Sequence, residues 1–342
     1  MTSLYRPILK QAWSHTWHNK FLWFFGFFAA WLGTSGEYEL ILRSFDRINE
    51  KGSLMLGLND FAATTGLFSA VAEQNMKQLI TTHPLALLPI IIIALILLLA
   101  VIFVIWTVMV SQGGLVSSLK RIAGGKTTNL QEGLIAGIGK FWPILWLNLI
   151  YRLAVFVLFL GLGAALGLFF NSSFINANDL SYFLTFFIGF VIFIPLVIIV
   201  SFVARYAICY AVINNYRLKE AIKQGLALFF KNWLISLELA FILLILYAIM
   251  AVLMALALLA AITPLIFLLA IFYAIGLAWA FKFFTFLTLV AFAGLVIVVV
   301  SLFSTYLWSA WTLLFIQLTE KGGESKLIRL AQSLPGVKRR LA

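Results

Sequence analysis

The chain has 342 residues, of which 63% are hydrophobic and 11% charged, and its mean hydropathy is +1.07. Soluble domains average about half apolar and about a quarter charged residues, so this composition excludes an ordinary soluble protein. The net charge of +12 is carried by residues that flank apolar stretches and form no separate domain, which argues against nucleic acid as a partner.

Residues 1–20 place Leu9, Ala12, Trp13, Thr16 and Trp17 at helical period beside Arg6, Lys10 and Lys20, the pattern of an interfacial amphipathic helix. The leading region is long and the next apolar run bulky and aromatic, so the start reads as an uncleaved signal-anchor. That run, residues 21–33, would measure about 20 Å as a helix. It is short for a span and reads either as a re-entrant or tilted segment or as a crossing where the bilayer thins. Residues 34–84 hold half of the 12 acidic residues. They form an extracytoplasmic cap too small for a core of its own, with Leu40, Ile41, Phe45 and Ile48 marking a short surface helix.

Residues 85–111 are the clearest span, longer than the ~20 apolar residues a helix needs to cross. The polar stretch that follows contains Gly113-Gly114 and Gly124-Gly125, both expected to break a helix. A second amphipathic segment sets Leu130, Gly133, Leu134, Gly137, Ile138 and Phe141 opposite Gln131, Glu132 and Lys140. Residues 142–170 and 182–211 are spans joined by a short polar turn, with Pro143 suited to a first helical turn. The third amphipathic segment has Leu218, Ala221, Ile222, Gly225, Leu226 and Phe229 on one face, and Lys219, Glu220, Lys223 and Gln224 on the other. Residues 233–262 span again. Residues 263–317 carry a single charge, Lys282, and have room for one long span plus an embedded hairpin, or for two spans.

These patterns make the chain one all-α integral membrane domain, a polytopic bundle of about six spans. It consists of three tandem units, each an interfacial helix followed by two spanning helices. The first unit covers 1–33 and 85–111 around the cap, the second 130–211, the third 218–317, and 318–342 is a basic tail. One set of flanks holds 17 Lys and Arg and the opposing loops four. The positive-inside rule therefore places both termini and all three interfacial helices in the cytoplasm of a cell membrane, most simply a bacterial inner membrane. Six crossings satisfy this if 264–280 is a re-entrant segment in the outer leaflet. All units then share one orientation, unlike inverted transporter repeats, and a pseudo-threefold arrangement is geometrically open to them. The proline-acidic-basic signature of mitochondrial carriers is missing.

No catalytic, metal or cofactor constellation is visible. His15 and His18 share a helix face without an acidic or cysteine ligand nearby, and Cys209 is alone in an apolar run. Gly161, Gly163 and Gly167 read as close helix packing. The informative side chains are the polar ones within apolar runs: Asn148, Arg152, Arg205, Glu238 and Lys282. A charge at the centre of a bilayer costs roughly 2.5–3.5 kcal/mol on insertion scales, so such residues are paired, snorkelling or functional. Asn148 and Arg152 share a helix face. Arg205 and Glu238 lie at matching depths on consecutive spans, which predicts an ion pair.

The runs Glu220-Ala221-Ile222 through Phe229-Phe230-Lys231-Asn232-Trp233, and Glu132-Gly133-Leu134 through Lys140-Phe141-Trp142, resemble a diffuse group of bacterial membrane proteins. That group includes the membrane domain attached to some glycerophosphoryl diester phosphodiesterases. The resemblance covers roughly 130–318 and implies a membrane module without the catalytic barrel, so no catalytic residue carries over. Two functions follow. One is a non-enzymatic accessory or lipid-associated membrane module, with anionic headgroups at its cytoplasmic face as partners. The other is a transporter or channel for a small or anionic solute, using the intramembrane polar residues. Neither a protein partner nor an oligomeric state is specified by the sequence.

Overall fold

A computed structural model describes residues 5–31, 87–171, 179–320 and 322, and all regular structure among them is helical. The helices are α1 (Tyr5–His18), α2 (Leu22–Ala30), α3 (Leu87–Ala123), α4 (Leu130–Ile138), α5 (Phe141–Asn171), α6 (Asp179–Ile213), α7 (Leu218–Lys231), α8 (Trp233–Ala274) and α9 (Ala278–Glu320). Five of them, α3, α5, α6, α8 and α9, are long and apolar enough to cross a membrane, the make-up of a multi-pass membrane protein. The cap, its expected surface helix and the basic tail beyond residue 322 lie outside the described residues.

Two expectations about helix ends are corrected. Gly113 and Gly114 do not break α3, which continues to Ala123; it stops at Gly124-Gly125, where Gly125 has φ +73. The glycine pair serves close approach instead. A Cβ added at Gly113 would stand 3.3 Å from the Gly137 Cα, and one at Gly114 would stand 2.7 Å from the Gly133 carbonyl oxygen. Likewise, Pro264 opens no separate re-entrant segment. It lies within α8, which runs to Ala274, and the reversal comes at Ile275–Leu277, where Gly276 adopts φ +75. Residues 233–320 thus form one antiparallel hairpin, with Tyr247 against Phe303 and Phe272 stacked on Phe284. At about 1.5 Å per residue, each arm is about 63 Å long.

The chain forms two packed units. The larger comprises Met1–Gly36, Val108–Arg152 and Ile199–Ala342; the smaller comprises Glu37–Thr107 and Leu153–Ile198. In the smaller unit the described side chains are mostly exposed apolar ones, such as Ile91, Leu97 and Phe103 of α3, as expected of lipid-facing helix. Phe159 meets Phe193 there. An added Cβ at Gly161 meets no described atom within 4 Å, so close packing does not account for that glycine.

In the larger unit each amphipathic helix buries small residues against a long helix. Gly133 and Gly137 of α4 are buried, and a Cβ at Gly137 would collide with the Val110 carbonyl oxygen and stand 3.0 Å from the Gly114 amide nitrogen. Ala221 and Gly225 of α7 are buried, and a Cβ at Gly225 would stand 3.1 Å from the Val203 carbonyl oxygen and 3.0 Å from the Ala207 amide nitrogen of α6. Ala12 and Thr16 of α1 are buried, and α1 packs on α9, with Trp13 edge-on to Tyr306. Small side chains at spacing four let helix backbones approach without clashing.

The same helices meet near their ends. Lys140, just past α4, donates to Asn215, just ahead of α7. Tyr5, at the start of α1, donates to Glu238, seven residues past the end of α7. The buried Phe25 ring of α2 packs where α4 meets α3, against Gly133 and Gly114, and Trp23 Nε1 donates to the Thr16 carbonyl at 2.8 Å. The α3 and α6 ends are tied by Lys120 Nζ, which donates to the Ile213 carbonyl at 2.9 Å. A cation here also suits the negative end of the α6 dipole.

Candidate functional site

Two of the long helices that carry the amphipathic ones, α6 and α9, run parallel near their C-terminal ends. Phe202 of α6 lies 5.1 Å from Trp311 of α9, and Tyr210 lies 4.8 Å from Phe315, so residue numbers rise together on both helices. Polar side chains are buried along this part of the unit: Ser111, Gln112 and Ser118 on α3, Ser201 and Arg205 on α6, and Ser301, Ser304, Thr305, Ser309 and Thr312 on α9. Such a density of buried polar groups is exceptional in a chain of this composition and marks the candidate site.

Most hydroxyls on α9 are satisfied locally. Ser301 donates to the Ile297 carbonyl at 2.6 Å, and Ser309 to the Thr305 carbonyl at 2.7 Å. Thr305 lies within reach of both the Ser301 carbonyl at 2.7 Å and the Leu22 carbonyl at 3.1 Å, which seats α2 on α9. Buried atoms without a hydrogen-bond partner among the described residues include Ser111 Oγ, Ser118 Oγ, Ser304 Oγ and Trp308 Nε1. The indole N–H can only donate.

The five residues singled out in the sequence do not form one cluster. Asn148 is buried and donates to Gln112 Oε1 at 2.7 Å, to the Ile144 carbonyl at 2.9 Å and towards Met109 Sδ at 3.6 Å. Its partner Gln112 carries no sequence signal beyond a polar residue beside the glycine pair. Arg152, one turn further along α5, is exposed, so the shared helix face does not translate into a shared environment. Arg205 is 8% exposed, and its guanidinium carbon sits 4.8 Å from the centre of the Trp311 ring, a cation–π contact that offsets part of its desolvation. Glu238 is half-buried and accepts from Tyr5. The helices of Arg205 and Glu238 are neighbours at this depth, since Tyr206 and Ser236 share a 2.6 Å hydrogen bond. Lys282 is exposed near the α8–α9 turn, about 57 Å along α9 from Glu320, and takes no part in this interior.

The amphipathic helices add chemistry of a different kind. Asn129 caps α4 by accepting from the Glu132 amide at 2.9 Å, and Glu132 also pairs with Arg121 at 2.9 Å. In α1, His15 is half-buried and burial lowers its pKa from 6.5, while His18 Nδ1 lies 2.9 Å from the Ser14 carbonyl. No three His, Cys, Asp or Glu side chains come together among the described residues. No known family model, curated protein or solved structure matches the chain.

Proposed function

We propose that the chain is a non-enzymatic, lipid-associated membrane module of six crossings, built from three tandem units of an interfacial helix plus two spans. The supporting observation is the equivalence of the three amphipathic helices. Each buries a small pair at spacing four, Ala12/Thr16, Gly133/Gly137 and Ala221/Gly225. The next position on each is exposed and apolar: Trp17 at 48%, Ile138 at 50% and Leu226 at 41%. Helix α4 packs on the last helix of the preceding unit, and so does α7; α1 packs on the last helix of the chain, which closes the series. Lys140–Asn215 links the end of α4 to the start of α7, and Tyr5 at the start of α1 reaches Glu238 in α8.

In this reading the three helices form a collar in the membrane plane on the cytoplasmic side, where the 17 basic residues also lie. Helix α2 alone has nine residues, too few to cross. The first of the six crossings is therefore the one that the described helices do not supply. The likeness to phosphodiesterase-attached membrane domains belongs to the same reading. The test is topology: Cys209 is replaced and single cysteines are placed near Lys126, Lys219 and the tail. An impermeant thiol reagent should label none of them in intact cells and all of them in inverted vesicles. Labelling of the tail from outside would overturn the six-crossing layout.

A second reading, a transporter or channel for a small anionic solute, draws on the buried Arg205 and Trp308. Anion flux into proteoliposomes that is abolished by Arg205→Met would favour it over the first.

A further inference from the structure

Helices α1 and α7 carry graded faces of the same spacing, one turn apart relative to their buried small pairs. On α1, Arg6, Lys10, Trp13 and Trp17 follow at spacings of four, three and four; on α7, Lys219, Lys223, Leu226 and Phe230 follow at the same spacings. All eight are exposed. In both helices the cations occupy the N-terminal half and the apolar residues the C-terminal half of one stripe, with Trp13 and Trp17 each 48% exposed, Leu226 41% and Phe230 61%. The corresponding positions on α4 are Gln131, Ile135 and Ile138, followed by Trp142 at the start of α5, with no cation. Three basic residues near α4 have protein partners instead, Lys120 on Ile213, Arg121 on Glu132 and Lys140 on Asn215, while Lys126 is exposed.

We propose that the graded faces of α1 and α7 are docking surfaces for anionic glycerophospholipid, the phosphodiester headgroups lying on the cation pairs and the acyl chains against the aromatic and aliphatic ends. This rests on the in-plane placement of the collar proposed above. Charge complementarity selects the occupant. The exposed cations have no hydrogen bond or ion pair among the described residues, and the one acid of α7, Glu220, is an exposed neighbour of Lys219. Basic residues near an anionic leaflet attract it individually, while apolar residues one or two turns on bury in the acyl boundary. A face that merely set topology would need the charges but not their matched register with Trp13, Trp17, Leu226 and Phe230. The α4 face, without a cation, takes lipid without regard to headgroup charge.

The test uses the whole protein in phosphatidylcholine vesicles, titrated with brominated phosphatidylglycerol or, separately, brominated phosphatidylcholine. Quenching of tryptophan fluorescence reports the relative affinity of the two. The wild-type protein should prefer the anionic lipid by about fivefold or more at low salt, falling towards one as salt is raised. The quadruple substitution Arg6→Gln, Lys10→Gln, Lys219→Gln and Lys223→Gln should bring the preference near one while total quenching persists. Lys282→Gln, far from the collar, should leave the preference unchanged. Equal quenching by both lipids in the wild-type protein, with no salt dependence, would overturn the docking proposal and leave the membrane reading standing. Absence of quenching by either lipid would overturn both. If the quadruple variant does not fold, the salt dependence of the wild-type preference decides alone.

Discussion

The sharpest consequence of the packing concerns Gly137. Its Cα faces the α3 backbone so closely that a methyl group there would collide with the Val110 carbonyl oxygen and press on the Gly114 amide. Backbone atoms cannot rotate away as a side chain can, so Gly137→Ala must displace α4 from α3. Overpacking of this kind costs typically about 1–3 kcal/mol, with larger values where nothing yields. Alanine regains about 1 kcal/mol of helix propensity. Because the collision is with backbone, the upper part of the overpacking range applies, and the net loss should be about 2 kcal/mol. At Gly225 the nearest backbone atoms stand 3.0 and 3.1 Å from the added carbon. A shift of a few tenths of an ångström relieves that, so Gly225→Ala should lie within about 1 kcal/mol of wild type. At Gly294 no described atom lies within 4 Å, and alanine should be neutral or slightly stabilising. The assay is thermal unfolding in detergent at one fixed scan rate, ranking apparent midpoints because membrane proteins seldom unfold reversibly. The expected order is Gly137→Ala lowest, then Gly225→Ala, then wild type and Gly294→Ala together. A Gly137→Ala midpoint equal to wild type would refute the backbone-contact account of how α4 packs on α3.

Three further outcomes are expected. If Arg205 and Glu238 are energetically coupled, a cycle with Arg205→Met and Glu238→Met should show the double variant losing less than the sum of the singles by about 1–3 kcal/mol; simple additivity would leave Arg205 held by Trp311 and Glu238 by Tyr5 as independent contacts. Asn148→Leu should cost about 1–3 kcal/mol by stranding Gln112 in an apolar setting, and Gln112→Leu in the same chain should recover part of that; no recovery would mean that Gln112 finds another partner. His15 is held below its usual pKa of 6.5 by burial, so the unfolded chain binds its proton first. Stability is then fully present above pH 6.5 and falls as pH drops towards the folded value. His15→Gln should flatten the slope of unfolding midpoint against pH below 6.5, and an unchanged slope would assign the pH dependence to other groups.

Much of this architecture was legible before any coordinates. The apolar runs exceed a bilayer's thickness, and amphipathic period locates α1, α4 and α7 to within a few residues, because helix period and hydrophobic length are local properties of a chain. Asn148, Arg205 and Glu238 announced themselves by the same logic, as polar groups where polarity is costly. What they touch was not legible. Asn148 meets Gln112 36 residues away, Tyr5 meets Glu238 233 residues away, and the ring under Arg205 belongs to Trp311. Composition says that a buried polar group needs a partner, but only the packing of helices decides which one it finds. Glycine was the instructive misreading: the missing Cβ that lets Gly125 turn the chain also lets Gly113 and Gly114 lie inside a helix against another backbone. The residue type is the same in both cases. The neighbour that makes the second use favourable, α4 folded back onto α3, exists only in the tertiary structure.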